Sequence, residues 1–242
     1  MPKLEHISAT APYVPARSSD EVYEKLLAMI VDGDVESGQR LPAERGLCER
    51  FGVTRGVVRE ALRRLEHSRL IESVQGSGHR VASWQDTAGI DLLPELLSVG
   101  DELDPQLVIA VMEMRSAIGP DAAKLCALRT PHESGTRLRR VIVEMARLRE
   151  LEQRSSAQRQ FWHTIIVGSR NLAYRLAYNS LLRFRQQAGL LLIAGIADEI
   201  ADRETYTAVA DAIARGDAVS AEHVARDLLQ RGMSDVKRII AR

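Results

Sequence analysis

The chain has 242 residues, 45% of them hydrophobic, and its 33 basic and 33 acidic side chains cancel. This length allows one large domain or two ordinary ones, and the balanced total charge neither indicates nor excludes a nucleic-acid partner. The two cysteines lack metal-binding spacing and no apolar run reaches about 18 residues, so a disulfide framework, a zinc finger and a membrane partner are disfavoured and a cytoplasmic protein is expected.

The N-terminal segment, residues 1–18, contains three prolines and shows no helical periodicity, so we predict a flexible arm. From Asp20 onward, apolar residues recur at steps of three and four, which predicts an amphipathic helix that ends near Gly33. The first folded domain, predicted over residues 19–83, therefore begins with a helix.

Two shorter helices follow in the predicted domain. One opens at Pro42, at a position where the missing N–H costs little, and Gly52 is placed to close it. The next begins at Thr54, whose hydroxyl can cap the first turn. Two helices joined by a short turn with a glycine predict a helix-turn-helix, in which the second helix lies in a DNA groove.

The outward face of the predicted second helix is basic. Arg55 and Arg59 are four residues apart, and Thr54 and Gly56 lie at the helix start, where base edges would be met. Residues 40–80 contain nine arginines and five glutamates, a local excess of positive charge that the neutral total conceals. A single arginine often only solvates a helix, but the cluster favours DNA binding.

A hairpin is predicted after the helix-turn-helix. Gly76, Ser77 and Gly78 supply the permissive residues of a turn between two short apolar strands. A glycine-rich tip allows the backbone to approach a sugar-phosphate chain, and His79 or Arg80 could add a polar contact. The alternative is an ordinary hairpin turn without a DNA contact.

The segment LPAERGLCERFGVTRGVVREALRRLEHSRLIESVQGSGHRV, residues 41–81, closely resembles the winged helix-turn-helix of GntR-family regulators. The resemblance implies a homodimer that binds a short inverted repeat of double-stranded operator DNA, with an affinity that falls as salt rises. Gly56 replaces the threonine of many relatives, which leaves the operator sequence open. The implied DNA contacts are Arg45, Thr54, Arg55, Gly56 and Arg59, with the wing at Gly76, Ser77, Gly78 and His79.

Beyond a linker predicted at residues 84–90, helical periodicity continues to the C-terminus with almost no strand pattern. The fold class is therefore mostly α, a winged helix-turn-helix followed by an all-α helical bundle. Behind a GntR-type domain, this bundle resembles the FadR-type (FCD) effector domain, which implies ligand binding and dimerisation over residues 91–242. The predicted helices are 91–99, 104–129, 132–152, 155–169, 171–195, 202–215 and 217–240.

Many domains of this type hold a divalent metal through an Asp and a His four residues apart and two later histidines. His163 occupies the first histidine position, but Arg159, Tyr206 and Leu228 stand at the other three, so we expect neither a metal nor another cofactor. A guanidinium at residue 159 could instead bind a carboxylate or phosphate. The predicted effector contacts are Arg115, Arg159, His163 and Tyr206.

Each of these effector contacts has a structural alternative. His163 could be a core histidine, Arg159 could shift by one position and face solvent, and Tyr206 could be structural. The resemblance favours a ligand-responsive repressor whose effector is a small anionic metabolite, an organic acid or an acyl-CoA. A metal-dependent sensor and a DNA-binding architectural protein without an effector remain alternatives. An enzyme is disfavoured because the sequence has no Glu-x-x-His pair, nucleophile motif or phosphate loop.

Overall fold

The computed structural model describes residues 18–76, 78–99 and 103–240, and the chain divides into two compact units between residues 101 and 102. The first unit has three helices and a two-stranded sheet, followed by short helical turns. The predicted flexible arm, apart from Ser18, lies outside the described residues. The elements are α1 Ser19–Val31, α2 Glu44–Phe51, α3 Arg55–His67, β1 Ile71–Val74, β2 Gly78–Val81, α4 Trp84–Thr87, a 3-10 turn Ile90–Leu92 and α5 Leu93–Leu96.

The turn between α2 and α3 confirms the predicted helix-turn-helix. Gly52 ends α2 with a φ of 66°, in the left-handed region that favours glycine. Thr54 precedes α3 with an extended backbone, but its hydroxyl does not cap the helix as predicted. The inward face of α3, formed by Val58, Ala61, Leu62 and Leu65, packs in the core with α1.

The predicted wing is a hairpin in the structure. β1 and β2 pair antiparallel, with Ile71 opposite Val81 and Val74 opposite Gly78. Gly76 and Gly78 have φ values of 71° and 78°, a backbone conformation that L side chains rarely adopt. Ser77 lies outside the described residues.

The segment after the wing packs on the first unit. Leu92 is buried in its core, and Trp84 and Leu96 pack against it. The predicted linker thus contains α4, and the predicted helix 91–99 is reduced to a 3-10 turn and α5. The division after residue 101 also lies later than the predicted boundary at residues 90 and 91, because these apolar side chains are buried against the first core.

The second unit is all-helical, which together with the first unit confirms the predicted fold class. Residues 146–150 interrupt the predicted helix 132–152, and because they include strong helix formers, periodicity gave no sign of the break. Gly189, with φ 62° and ψ −144°, kinks the predicted helix 171–195. The helices are α6 Pro105–Arg129, α7 Pro131–Met145, α8 Leu151–Gly168, α9 Leu172–Gly195, α10 Ala197–Ala201, α11 Arg203–Ala214 and α12 Ala218–Ile240.

The core of this unit lies where α6, α7, α8, α11 and α12 pack together. Phe161 is fully buried and meets the ring of Tyr206 edge to face, with ring centroids 4.8 Å apart. Ile165, Ile213 and Leu228 are fully buried in the same cluster. This packing fixes the register of α8, which decides which of its polar side chains face inward.

α7 and α11 approach each other closely at Gly135. A Cβ at this residue would lie 2.6 Å from Cβ and 2.9 Å from Cα of Ala214, so one helix would have to move. We expect Gly135→Ala to lower the free energy of unfolding by about 1–3 kcal/mol, the usual cost of overpacking, although alanine favours helices more than glycine does. Urea denaturation measures the change.

Gly46→Ala in α2 is the matched control. Its added Cβ would meet Pro42 Cβ at 3.8 Å, an ordinary contact, so the free energy of unfolding should rise by up to about 1 kcal/mol. If Gly135→Ala is as stable as the unaltered chain, the close packing of α7 on α11 is refuted.

Candidate functional site

The outward face of α3 is polar and exposed. Thr54, Arg55, Gly56 and Arg59 are all exposed, and Arg45 on α2 is exposed as well. The burial of the opposite face of α3 in the core forces this orientation. The structure therefore presents these predicted DNA-contact residues on the surface of the first unit.

Three of the outward arginines are held by nearby glutamates. Nε of Arg59 donates to both carboxylate oxygens of Glu44, at 3.0 and 3.1 Å, and Nε of Arg45 donates to Glu49 at 2.9 Å. Arg63 pairs with Glu60. Exposed pairs of this kind stabilise a protein by about 0–1 kcal/mol each, so a phosphate or a base could displace the glutamates.

Arg55 differs from these arginines. It is the first residue of α3, and it forms no ion pair with a carboxylate in the part of the chain that the structure describes. The N–H groups of the first helical turn carry a partial positive charge. Arg55 is thus placed to meet an anionic surface without first leaving a partner.

The wing borders the same surface. His79 on β2 is half-buried and lines a depression together with Glu44, Arg59 and Arg63. Gly76 and Gly78, at the tip, are exposed. The structure thus brings the wing residue His79 and the α3 residue Arg59 to one depression.

The second unit encloses a cavity between α6, α8, α9 and α12. The volume open to the centres of water-sized spheres is about 60 Å³. One water molecule needs roughly 10–15 Å³ by the same measure, so the cavity can hold several. Its polar lining consists of Arg115, Gln158, Tyr178 and Arg185. The apolar lining residues are Val111, Met112, Ile118, Trp162, Ile166, Leu181, Leu182, Phe184, Leu192, Ile196 and Leu229.

Arg115, which lines the cavity, forms a buried ion pair with a residue behind the lining. The Arg115 guanidinium donates to both carboxylate oxygens of Glu199, a side chain with no exposed surface. Burial alone would lower the pKa of Arg115, but the charge and hydrogen bonds of Glu199 outweigh it and raise this pKa. A Cβ at Gly232 would collide with the Glu199 carboxylate, so the absence of a side chain there makes room for the pair.

Two neutral side chains complete the hydrogen bonds of Glu199. Gln158 Nε2 donates to Oε1 at 3.0 Å, and the Tyr206 hydroxyl donates to the same oxygen at 3.1 Å. Burial and the charge of Glu199 raise the pKa of Tyr206, so its phenol remains a donor. The Glu199 carboxylate is thus satisfied by the protein itself.

Arg185 faces the cavity without such a carboxylate. Its Nη1 donates to Gln158 Oε1 and its Nη2 to Ser155 Oγ, both at 2.5 Å, while its Nε is buried without a hydrogen-bond partner. It forms no ion pair among the described residues. Burial, followed by the charge of Arg115, lowers the pKa of Arg185 to about 10, so the guanidinium is still cationic at neutral pH.

The structure places the four predicted effector contacts in different surroundings. Arg115 lines the cavity as predicted, whereas Tyr206 is buried behind Glu199 and serves the ion pair. Arg159 and His163 lie outside the cavity lining. Arg159 is half-buried and donates to Ser156, and His163 is exposed.

The reason for this difference is the register of α8. The α8 residues that line the cavity are Gln158, Trp162 and Ile166, and the first two lie one position before Arg159 and His163. Adjacent residues on a helix differ by about 100° in direction, so a shift of one residue turns a side chain away from the cavity. The structure therefore places Arg159 outside the lining, and the second guanidinium in the lining belongs to Arg185.

Sequence reasoning missed Gln158, Arg185 and Glu199. Arg185 is followed by two glutamines, and Glu199 follows Asp198. Because each charge has a polar neighbour in the sequence, no local pattern marks either residue as buried.

Neither a metal-binding group nor a membrane span is found in the described ranges. Residues 18–76, 78–99 and 103–240 contain no group of three or more His, Cys, Asp or Glu side chains that could hold a metal. Within the same part of the chain, no helix is both long and apolar enough to cross a bilayer. Tyr206 and Leu228, at two of the expected metal-ligand positions, are fully buried in the core.

Comparison with known proteins gives matches in both units. Residues 18–81 match the family described as bacterial regulatory proteins, gntR family, and residues 110–231 match the FCD domain. The chain is 31% identical to the HTH-type transcriptional regulator Mce2R of Mycobacterium tuberculosis, over 96% of this chain and 97% of that protein. It is 28% identical to a putative L-lactate dehydrogenase operon regulatory protein of Escherichia coli, over 85% of this chain and 81% of that one.

The fold also resembles a solved structure. Lar, described as controlling the expression of the Listeria monocytogenes agr system and mediating virulence, aligns with a TM-score of 0.57 and 19% sequence identity. The alignment covers 91% of this chain and 97% of that chain. At this identity the likeness establishes the fold alone.

Proposed function

The chain belongs to the GntR family of bacterial transcription regulators and carries an FCD effector-binding domain, and from this premise we propose that it is a ligand-responsive repressor. It binds a short inverted-repeat operator as a homodimer. A small anionic metabolite in the cavity of the second unit lowers its operator affinity. Because this function requires access to the chromosome, we expect the protein in the cytoplasm.

The DNA-binding part of the proposal is supported by the exposed face of α3. Arg55 and Arg59 can reach base edges in the major groove, where a guanidinium pairs with two acceptors of guanine. Arg45, Thr54 and Gly56 border the same face and would contact the backbone or adjacent bases. The wing, with Gly76, Ser77, Gly78 and His79, would contact the adjacent sugar-phosphate chain.

The homodimer is supported by symmetry and by exposed apolar side chains of the second unit. One copy of α3 covers one half-site, so an inverted repeat requires two copies related by a twofold axis. Leu172 and Leu176 are one turn apart on α9 and are 69% and 58% exposed. Large apolar side chains at this spacing are typical of a surface that a second copy covers.

The effector part is supported by the cavity and its positive charge. Arg115 keeps its predicted role as a cavity residue, and Arg185 takes the role first given to Arg159. A ligand that binds one dimer geometry better than another shifts the population toward that geometry. The separation of the two α3 helices then no longer fits the half-sites, and repression is relieved.

Two other functions within this family are separated by simple ligand tests. A metal-dependent sensor would be stabilised by a divalent metal and lose this stability with EDTA, and an architectural protein would bind no effector. The lining favours the anion sensor, because among the described residues it contains two guanidiniums, Arg115 and Arg185, and no carboxylate or histidine, while Glu199, the partner of Arg115, lies outside it.

The single observation that carries the proposal is the exposed basic face of α3, and selection from random double-stranded DNA tests it. We expect the purified chain to enrich one inverted-repeat motif, and sedimentation of the complex to give two protomers per duplex. Failure to enrich any motif would contradict operator recognition. A complex with one protomer would contradict the homodimer.

A further inference from the structure

Arg185 places a positive charge against an apolar cavity. Its guanidinium lies with Phe184, Leu181 and Leu192 along the lining, and its Nε is buried without a hydrogen-bond partner. The acceptors of its other two nitrogens, Gln158 and Ser155, are neutral. Among the described residues the protein thus provides hydrogen bonds for this cation but no ion pair, and the Glu199 charge acts on it only from beyond ion-pair distance.

The charges around the cavity do not balance. Arg115 is neutralised by Glu199 through two hydrogen bonds, and Glu199 is also held by Gln158 and Tyr206. The charges of Arg115 and nearby Arg159 oppose that of Arg185, and the Glu199 charge, which favours it, is already paired with Arg115. One positive charge is therefore left over in a site where a partly desolvated cation is costly unless it is paired.

The lining also limits which kind of negatively charged ligand could pair with Arg185. A guanidinium with a free Nε can bind a carboxylate through two parallel N–H···O bonds. The rest of the lining is mostly aliphatic or aromatic, so a second charged group on the ligand would find no partner there. The narrow space, about 60 Å³ for water-sized spheres, suits a slender chain.

We propose that the effector is a monocarboxylic acid with an apolar tail, whose carboxylate binds Arg185 and whose tail lies along α6 and α9. This inference rests on the proposed effector function and narrows it. A dicarboxylate is rejected because its second charge would lie in apolar surroundings. An acyl-CoA thioester is rejected because its several phosphate charges would meet only one guanidinium that has no ion-pair partner among the described residues, in an otherwise mostly apolar lining.

Isothermal titration of the full-length chain with octanoate tests the inference, and octanamide and octanedioate serve as matched neutral and dianionic probes. We expect octanoate to bind at least tenfold more tightly than either of them. Arg185→Met should weaken octanoate binding at least tenfold and remove the preference over octanamide. Arg185→Lys keeps the positive charge but loses the two parallel N–H donors of the guanidinium, so it should give an intermediate affinity.

Arg175→Met is the control, because Arg175 is exposed on the same helix and away from the cavity lining. It should bind octanoate as the unaltered chain does. Thermal unfolding checks the fold of Arg185→Met, which removes a charge without an ion-pair partner but also takes a donor from the buried Gln158 and Ser155 side chains. If Arg185→Met does not fold, the binding of octanoate, octanamide and octanedioate to the unaltered chain and to Arg185→Lys still tests whether Arg185 binds the carboxylate.

Equal binding of octanoate and octanamide, or unchanged octanoate affinity in a folded Arg185→Met, would overturn the inference. Tighter binding of octanedioate or octanoyl-CoA than of octanoate would overturn it as well. These measurements contain no DNA, so they fail separately from the proposed function. A chain that selects an operator but prefers a thioester or a dicarboxylate would remain a regulator with a different effector.

Discussion

Arg55→Ala is expected to lower the affinity for the selected operator by about five- to 150-fold, the loss of one guanidinium contact to a base worth roughly 1–3 kcal/mol. Arg55 is exposed at the first position of α3 and has no carboxylate partner among the described residues. We therefore expect its side chain to make its main contacts with DNA, and its removal to leave the folded chain almost unchanged. Fluorescence anisotropy with a labelled duplex at fixed salt measures the affinity.

Arg59, one turn further along α3, provides a second substitution with a smaller expected loss of operator affinity. Arg59→Ala should also weaken binding, but by less, because Arg59 must first separate from Glu44 before it contacts DNA. Arg137→Ala in the second unit removes the same charge from an exposed helix position and should change affinity less than twofold. Operator affinity unchanged in both Arg55→Ala and Arg59→Ala, or lowered equally by Arg137→Ala, would refute the assignment of α3.

Glu199→Gln is expected to lower the free energy of unfolding of the second unit by about 3–5 kcal/mol. The substitution leaves Arg115 with only 18% of its side chain exposed and without its carboxylate partner. It also weakens the hydrogen bonds from Gln158 and Tyr206, because each now meets a neutral amide. Urea denaturation followed by tryptophan fluorescence measures the loss, since Trp162 lines the same cavity.

Glu133→Gln is the matched control for this pair. Glu133 and Arg137 are about equally exposed, at 60% and 59%, and such a pair contributes about 0–1 kcal/mol. A loss below about 1 kcal/mol in Glu199→Gln would show that the buried pair does not stabilise the unit beyond an exposed one.

The DNA-binding unit could be predicted from local chemistry. Gly52 is in the position that helix ends prefer, and the apolar stripe of α3 fixes which face is exposed. These features depend on residues close in sequence, so no knowledge of distant packing was needed. Pro42, predicted to open α2, instead lies one residue before its N-cap Ala43. The segment after the wing was harder, because Leu92 is buried by contacts with a core that forms earlier in the chain.

The cavity could be predicted only in part. Arg115 lines the cavity, but on α8 the lining residues lie one position before the predicted Arg159 and His163. Periodicity gives the apolar face of a helix only broadly, and the polar Gln158 is fully buried within that face, whereas the neighbouring Arg159 is half-buried. The contacts of Glu199 with Arg115, 84 positions away, and with Tyr206, depend on tertiary packing and leave no local pattern in the sequence.

The kink of α9 is another feature that helical periodicity does not predict. Gly189 has a backbone conformation that only glycine adopts readily, and the sequence around it, rich in leucine and alanine, predicts a continuous helix. Residues on both sides of the kink, including Arg185 and Leu192, line the cavity. The chain direction at this point thus determines the shape of the site, although periodicity does not reveal it.

The most direct test of an effector-responsive repressor is the affinity for the selected operator with and without saturating octanoate, measured by anisotropy with the full-length chain. The account predicts that octanoate weakens binding by roughly five- to 150-fold, the usual size of such coupling, and that Arg185→Met loses this response. An operator affinity that stays the same, or increases, when octanoate occupies the cavity would contradict it.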